Sequence, residues 1–257
     1  MSNSNLGLNR KVIKVLVDSL SDSDSKIYKD IMSITGESSG EVDENDTLIN
    51  YLTDGTEVTT LTSNAVKKVA DDVFNGYNKL VTVNVPNATS IGVRSFQGCT
   101  SLNTVDFTNA KSLGNYAFNG CSNLRNVTIP NVETIGANAF QSCSSLTSID
   151  LPNVTSIGDE AFSACTSLTS INLPNVTSIG DYAFYVCNKL STVIILTNQI
   201  ISFQGMVFYE TPIASGTGYI YVPDSLVNSY KSTTGYASQI KPISELPQEY
   251  KTLYNIT

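Results

Sequence analysis

The stretch LPNVTSIGDEAFSACTSLTSIN, Leu151–Asn172, is followed at once by LPNVTSIGDYAFYVCNKLSTVI, and eleven of the first twelve letters agree. The interval is 22 residues, and it recurs. Phe96, Phe118, Phe140, Phe162 and Phe184 are each 22 apart. So are Cys99, Cys121, Cys143, Cys165 and Cys187, which are all five cysteines of the chain. Leu80, Leu102, Leu124, Leu146, Leu168 and Leu190 keep the same step. One step before Phe96 stands Phe74, with Tyr77 in the cysteine slot. Apolar residues in fixed columns at a period in the twenties predict a stacked solenoid, because no unit can bury its apolar face without its neighbours. The register predicts an array over residues 74–196.

Within one unit, Leu146, Ile149 and Leu151 follow an L-x-x-I-x-L pattern whose last two members alternate like a half-buried strand. Pro152 and Asn153 turn the chain. Val154 and Ile157 form a second short apolar segment. Gly158 is expected to permit a tight bend, and Asp159 to cap a short helical turn carrying Ala161 and Phe162. Each column should become a ladder of like residues. The phenylalanine column should carry the most stability, since Phe→Ala in a packed core costs about 3–5 kcal/mol.

The unit as it stands in Leu146–Pro152 and Ile157–Cys165 resembles the BspA-like leucine-rich repeat family. The segment Tyr219–Lys231, YIYVPDSLVNSYK, looks like the closing segment of such arrays. The resemblance implies an α+β fold: a curved leucine-rich-repeat solenoid of short stacked strands, engaged in adhesion or ligand binding, without catalysis. Proteins of this type are common on microbial surfaces and in gut bacteriophage genomes. Two departures stand out. Phe208 follows Phe184 by 24 residues rather than 22, so residues 197–257 should form an irregular last repeat and a cap. Asp106–Ala110 lacks the usual proline, so that unit should turn differently.

Residues 1–73 read differently, as a small and mostly helical segment for attachment or oligomerisation. Leu8, Val12, Ile13, Leu16 and Leu20 fit a helical stripe, and Ile27, Ile31 and Ile34 a second. The polar, acidic run from Gly36 to Asp46 reads as a linker. A third helix is expected after Ser63, with Ala65, Val66, Val69, Ala70 and Val73 on its apolar face. With the first stripe, Val66 and Val69 complete the candidate attachment residues. Asp54–Val66 is also similar to short helical modules of phage tail-fibre and head-fibre proteins. A helix capping the open edge of the first repeat is the other reading of that piece.

The composition narrows the function. The chain has no histidine, which removes the commonest general base and metal ligand. A formal net charge of -8 argues against binding a nucleic-acid backbone. No stretch approaches the roughly 20 apolar residues of a membrane-spanning helix. The N-terminus does not read as a signal peptide, since Val12–Val17 is short and interrupted by Lys14. That suggests a chain kept in a cytoplasm or released by lysis. The cysteines share the structural period and lack the short spacings of metal sites, so they are expected to be buried, reduced thiols. Asp18, Asp22 and Asp24 lack the spacing of a calcium loop. Asn87, Asn126, Asn153 and Asn175 open Asn-x-Thr triplets that should serve as turn residues. No cofactor is called for.

The exposed strand columns carry small polar residues, such as Asn84, Asp106, Thr128, Asp150, Asn172 and Ile194. They offer few aromatic anchors. The tyrosines gather towards the C-terminus instead, at Tyr182, Tyr185, Tyr209, Tyr219 and Tyr221, and these are the candidate recognition surface. The expected protein is a non-enzymatic phage virion appendage, on a head or a tail. It would attach through residues 1–73 to itself or to a virion protein, and present the solenoid to a host-surface protein or glycan. The alternative is a bacterial cell-surface adhesin.

Overall fold

The computed structural model describes residues 40–42, 47–51, 59–64, 66–203 and 206–256. It is a leucine-rich-repeat solenoid with the 22-residue step read from the sequence. A regular turn contributes up to two short strands and a tight turn that carries the phenylalanine and the cysteine.

Two columns of strands result. In the first, β3 (Thr60–Thr62), β5 (Thr82–Asn84), β7 (Thr104–Asp106) and β9 (Asn126–Thr128) pair side by side. Further along, β12 (Ser170–Leu173), β14 (Thr192–Ile195), β15 (Tyr219–Val222) and β16 (Ile240–Pro242) form a second sheet. Every pair is parallel, and Val83 faces Val105 as Ile171 faces Val193. The second column is one sheet of two-residue strands: β4 (Lys68–Val69), β6 (Ser90–Ile91), β8 (Ser112–Leu113), β10 (Thr134–Ile135), β11 (Ser156–Ile157) and β13 (Ser178–Ile179). A hairpin of β1 (Gly40–Val42) and β2 (Thr47–Tyr51) extends this sheet, with β2 parallel to β4.

The stacking therefore continues N-terminally of Phe74, to Thr60. Three expectations for residues 1–73 are corrected. Among the described residues no helix follows Ser63; the chain there carries β4, with Val66 fully buried and Val69 nearly so. Those two residues belong to the core and are not free for attachment. The acidic run expected as a linker carries β1. The stripe Leu8, Val12, Ile13, Leu16 and Leu20 lies outside the described residues, as do Ile27, Ile31 and Ile34.

The ladders fill the core. The rings of Phe74, Phe96, Phe118, Phe140, Phe162 and Phe184 are fully buried and stack with centroids 5.1–5.5 Å apart. Phe208 continues the stack at 5.6 Å from Phe184 despite the longer step. Such offset stacking adds about 0.5–1.5 kcal/mol per pair beyond area burial. Where proline is missing, the Asp106 carboxylate accepts from the Thr108 N–H and hydroxyl, and Phe107 packs tilted against both Phe96 and Phe118.

Polar groups also run in ladders. The side-chain amides of Asn87, Asn131, Asn153 and Asn175 donate to main-chain carbonyls of the preceding turn at 2.6–2.8 Å. Three of the Asn-x-Thr asparagines are thus occupied by the fold. Asp159 does not cap a helix; its Oδ1 accepts from the Asp181 N–H of the next turn at 2.9 Å. Gly158 is needed for close approach rather than for a bend. A Cβ there would lie 2.6 Å from the Ala137 nitrogen of the preceding turn.

The C-terminal segment closes the array. Helix α1 (Val227–Thr233) crosses over between β15 and β16. Its Tyr230 is fully buried, and the hydroxyl accepts from the Ile201 N–H and donates to the Gln199 carbonyl, both at 3.1 Å. Helix α2 (Gln248–Leu253) then brings the chain end back over the strand face of the last turns, where Leu246, Tyr250, Tyr254 and Ile256 pack on Ile194 and Tyr221.

Candidate functional site

The turns that carry the phenylalanines also present two surface columns. One is held at positive φ in six successive units, Asp72, Arg94, Tyr116, Asn138, Glu160 and Tyr182, with φ between 52 and 59°, and only Asn138 of these is buried. The other runs through Gln97, Asn119 and Gln141. These amides bond in sequence, Gln97 to Asn119 at 3.3 Å and Asn119 to Gln141 at 2.7 Å. Gln141 then donates to Glu160 Oε2 at 2.7 Å.

At the C-terminal end the second column changes from amides to aromatic rings. After the buried Ser163, Tyr185 occupies the slot and stacks on Tyr209 of the irregular turn, with centroids 5.8 Å apart and planes at 11°. Tyr182 meets Tyr185 edge to face at 5.8 Å. With Glu160 and Met206 they line an open recess of about 420 Å³. Tyr182, Met206 and Tyr209 are 39, 47 and 45% exposed, high for large apolar side chains.

Tyr219 and Tyr221 do not join this surface. They lie on β15, and Tyr221 is only 5% exposed because the returning chain covers it. Burial accordingly raises its hydroxyl pKa. The Lys241 ammonium sits 4.7 Å over the Tyr219 ring. Tyr221 is therefore a core residue of the cap, a correction to the expected recognition set. Met206 and Glu160 were missed by the sequence reading, since only the folded turns bring them beside the tyrosines.

The cysteines are all buried free thiols. Each Sγ donates to the carbonyl of the phenylalanine 25 residues earlier, from Cys99 on Phe74 to Cys187 on Phe162, at 3.1–3.2 Å. The thiol thus bridges turns as well as filling space. Burial pushes the thiols of Cys99 and Cys187 up to about 12 and those of Cys121, Cys143 and Cys165 well above the usual range. A thiolate nucleophile or metal ligand needs the opposite shift. Among the described residues no His/Cys/Asp/Glu group is placed to hold a metal ion, and no helix is long and apolar enough to cross a membrane.

In-register parallel ladders at a 22-residue step, with the leucine, phenylalanine and cysteine columns inward, define a leucine-rich-repeat protein. The chain belongs to the BspA-type leucine-rich repeat family, whose repeat region matches residues 50–153 and 111–241 in six copies. No curated protein matches the chain. Among solved structures, the T. pallidum leucine rich repeat protein aligns with 79% of this chain and 95% of its own at 21% identity and TM-score 0.52. The pneumococcal vaccine antigen PcpA aligns at 18% identity and TM-score 0.53, over 79% of this chain and 45% of its own. A leucine rich cell surface protein from Faecalibacterium prausnitzii is 27% identical, over 66% of this chain and 56% of its own, at TM-score 0.45. The chain thus spans little more than half the length of that last protein.

Proposed function

We propose that the chain is a non-enzymatic, adhesin-type binding protein whose solenoid holds a tyrosine-rich contact surface at its C-terminal end. The observation that carries this reading is the meeting of two columns at one end: Tyr185 and Tyr209 stand where the earlier turns carry bonded amides, beside the exposed Tyr182 and Met206 of the neighbouring column. Rigid tyrosines supply large amphipathic contact area at low entropic cost. The first strand column, by contrast, presents small polar residues that suit a solvated face. The partner would be a host-surface protein or glycan.

Two placements follow. As a virion appendage on a head or tail, the protein would attach through its N-terminal residues, to itself or to a virion protein. As a bacterial cell-surface adhesin it would face the same kind of partner from a cell. The fibre-like piece ending at Val66 does not favour the first placement, because its Thr60–Thr62 pairs as a repeat strand with Thr82–Asn84 and its Val66 is core.

The test of binding is a fluorescently labelled full chain offered to bacterial and epithelial cells. Saturable binding is expected, and the triple change Tyr182→Ala, Tyr185→Ala and Tyr209→Ala should abolish it. Undiminished binding by that variant would overturn the assignment of the surface. Immunogold labelling of purified particles and of intact cells decides the placement, and light scattering of the full chain reads self-association.

A further inference from the structure

The strand face contains a second concavity, away from the tyrosine surface. The first-column ladder lapses at Ser148–Asp150, between β9 and β12, and the chain end crosses beside the gap. The result is a cleft of about 660 Å³, within the size range of small-ligand sites. One wall is the strand face, with Ser148, Asp150 and Asn172. The other is the returning chain, with Leu253, Tyr254 and Ile256.

The chemistry of the two walls differs. The strand wall is rich in acceptors: the Asp150 carboxylate is exposed, and Asn172 Oδ1 is buried with no donor from the protein. An orphaned buried acceptor is costly, and a hydroxyl brought by a ligand relieves it. The opposite wall supplies what the strand columns lack, an aromatic ring. Tyr254 is half-buried, and a 2.8 Å hydrogen bond between its hydroxyl and Ser170 Oγ fixes it to β12. Apolar side chains flank it.

We propose that this cleft binds a pyranose ring of a glycan, with the apolar ring face on Tyr254 and the hydroxyls donating to Asp150 and Asn172. A pyranose matches the two walls: C–H groups on one face, and hydroxyl donors around the edge. The site is independent of the surface formed by Tyr182, Tyr185 and Tyr209, and either can fail alone. Asn84, four turns earlier in the column of Asn172, also has an orphaned Oδ1 and is no part of the cleft, so it serves as a control.

The test uses the labelled full chain on an array printed with host-type and bacterial-surface oligosaccharides, followed by titration of the best-retained one. Binding to one pyranose series is expected, and the arm of the array it falls in tells host from bacterial glycan. The exposed change Asp150→Ala should weaken it by about tenfold or more, as loss of a charge-assisted hydrogen bond requires. Asn84→Ala should leave it unchanged, and Tyr254→Phe should keep most of it, since the ring remains. Absence of glycan binding on the array overturns the proposal. So does binding that survives Asp150→Ala together with Asn172→Ala, or that is lost instead with Tyr182→Ala and Tyr209→Ala.

Discussion

Two glycines of the repeat, Gly120 and Gly158, look alike in the sequence, yet their replacement by alanine should have different consequences. Gly120 has φ of +74°, and the nearest atom to an added Cβ is Gly98 Cα at 3.8 Å. Gly120→Ala therefore meets only left-handed backbone strain of about 1–2 kcal/mol, offset by about 0.4–1 kcal/mol from a less flexible unfolded chain. The fold already tolerates this, because Ser142, Ala164 and Val186 hold the equivalent slot at φ of 58–61°. Gly158 has no such strain. Its added Cβ would meet Ala137 N at 2.6 Å, Gly136 C at 2.8 Å and Ala137 Cα at 2.9 Å, all backbone of the adjacent turn. Ordinary contact begins at 3.4 Å, so the two turns would have to part by about 0.8 Å. Overpacking that only backbone can relieve sits at the upper end of its range, about 3 kcal/mol or more. For a chain of this size each kcal/mol lowers Tm by about 2–4 °C. Gly158→Ala should thus lose about 6–12 °C in thermal unfolding followed by circular dichroism, and Gly120→Ala less, from about zero to about 6 °C. Equal losses, or a larger one for Gly120→Ala, would refute the close-approach reading.

Other perturbations test the ladders and the cap. Phe140→Ala removes a fully buried ring stacked between two neighbours and should cost about 3–5 kcal/mol in denaturant unfolding, whereas exposed Thr147→Ala should stay within about 0.5 kcal/mol. The thiols make the fold sensitive to alkali: burial raises their folded pKa above the ordinary 9.0, to about 12 for Cys99 and Cys187. Their contribution is complete below pH 9 and lost as pH rises beyond it, by about 1.4 kcal/mol per thiol per pH unit. Tm should be flat up to about pH 8.5 and fall steeply above 9, and a thiol reagent at pH 8 should modify none of the five until denaturant is added; fast native labelling would contradict the buried column. Tyr230→Phe strands the buried Ile201 N–H and should cost about 1–3 kcal/mol; an unchanged unfolding midpoint would show that the hydrogen bond contributes nothing.

The regular part of the fold is legible because each column repeats one residue type, so period and core face are read together. Phe, Leu and Cys declare their columns through size and apolarity. The first turn is hidden for a physical reason. In Leu61–Val73 the glycine slot holds Ala70, and the inward residues Val66, Val69 and Val73 are three and four apart, which is also the signature of a helical face. Only pairing with the next turn, Leu61 opposite Val83 and Val69 opposite Ile91, settles the case. The role of Gly158 is hidden because sequence marks a glycine without saying whether backbone angle or neighbour distance requires it. At the candidate site, the gathering of Tyr182, Tyr185 and Tyr209 towards one end of the array is legible in the sequence. Burial of Tyr221 was not, because it depends on a chain end that returns across the sheet. The same return places Tyr254 beside Asn172, 82 residues earlier in the chain, and no local pattern announces such a contact.

The central claim is that the solenoid is a carrier and that recognition occurs at its C-terminal tyrosine turns. Hydrogen–deuterium exchange of the full chain, free and bound to the cells that capture it, tests this most directly. Slowed exchange confined to the turns around Tyr182–Val186 and Met206–Thr211 is the predicted result. Protection along the strands from Thr60 to Thr128, with none at the tyrosine turns, would contradict it.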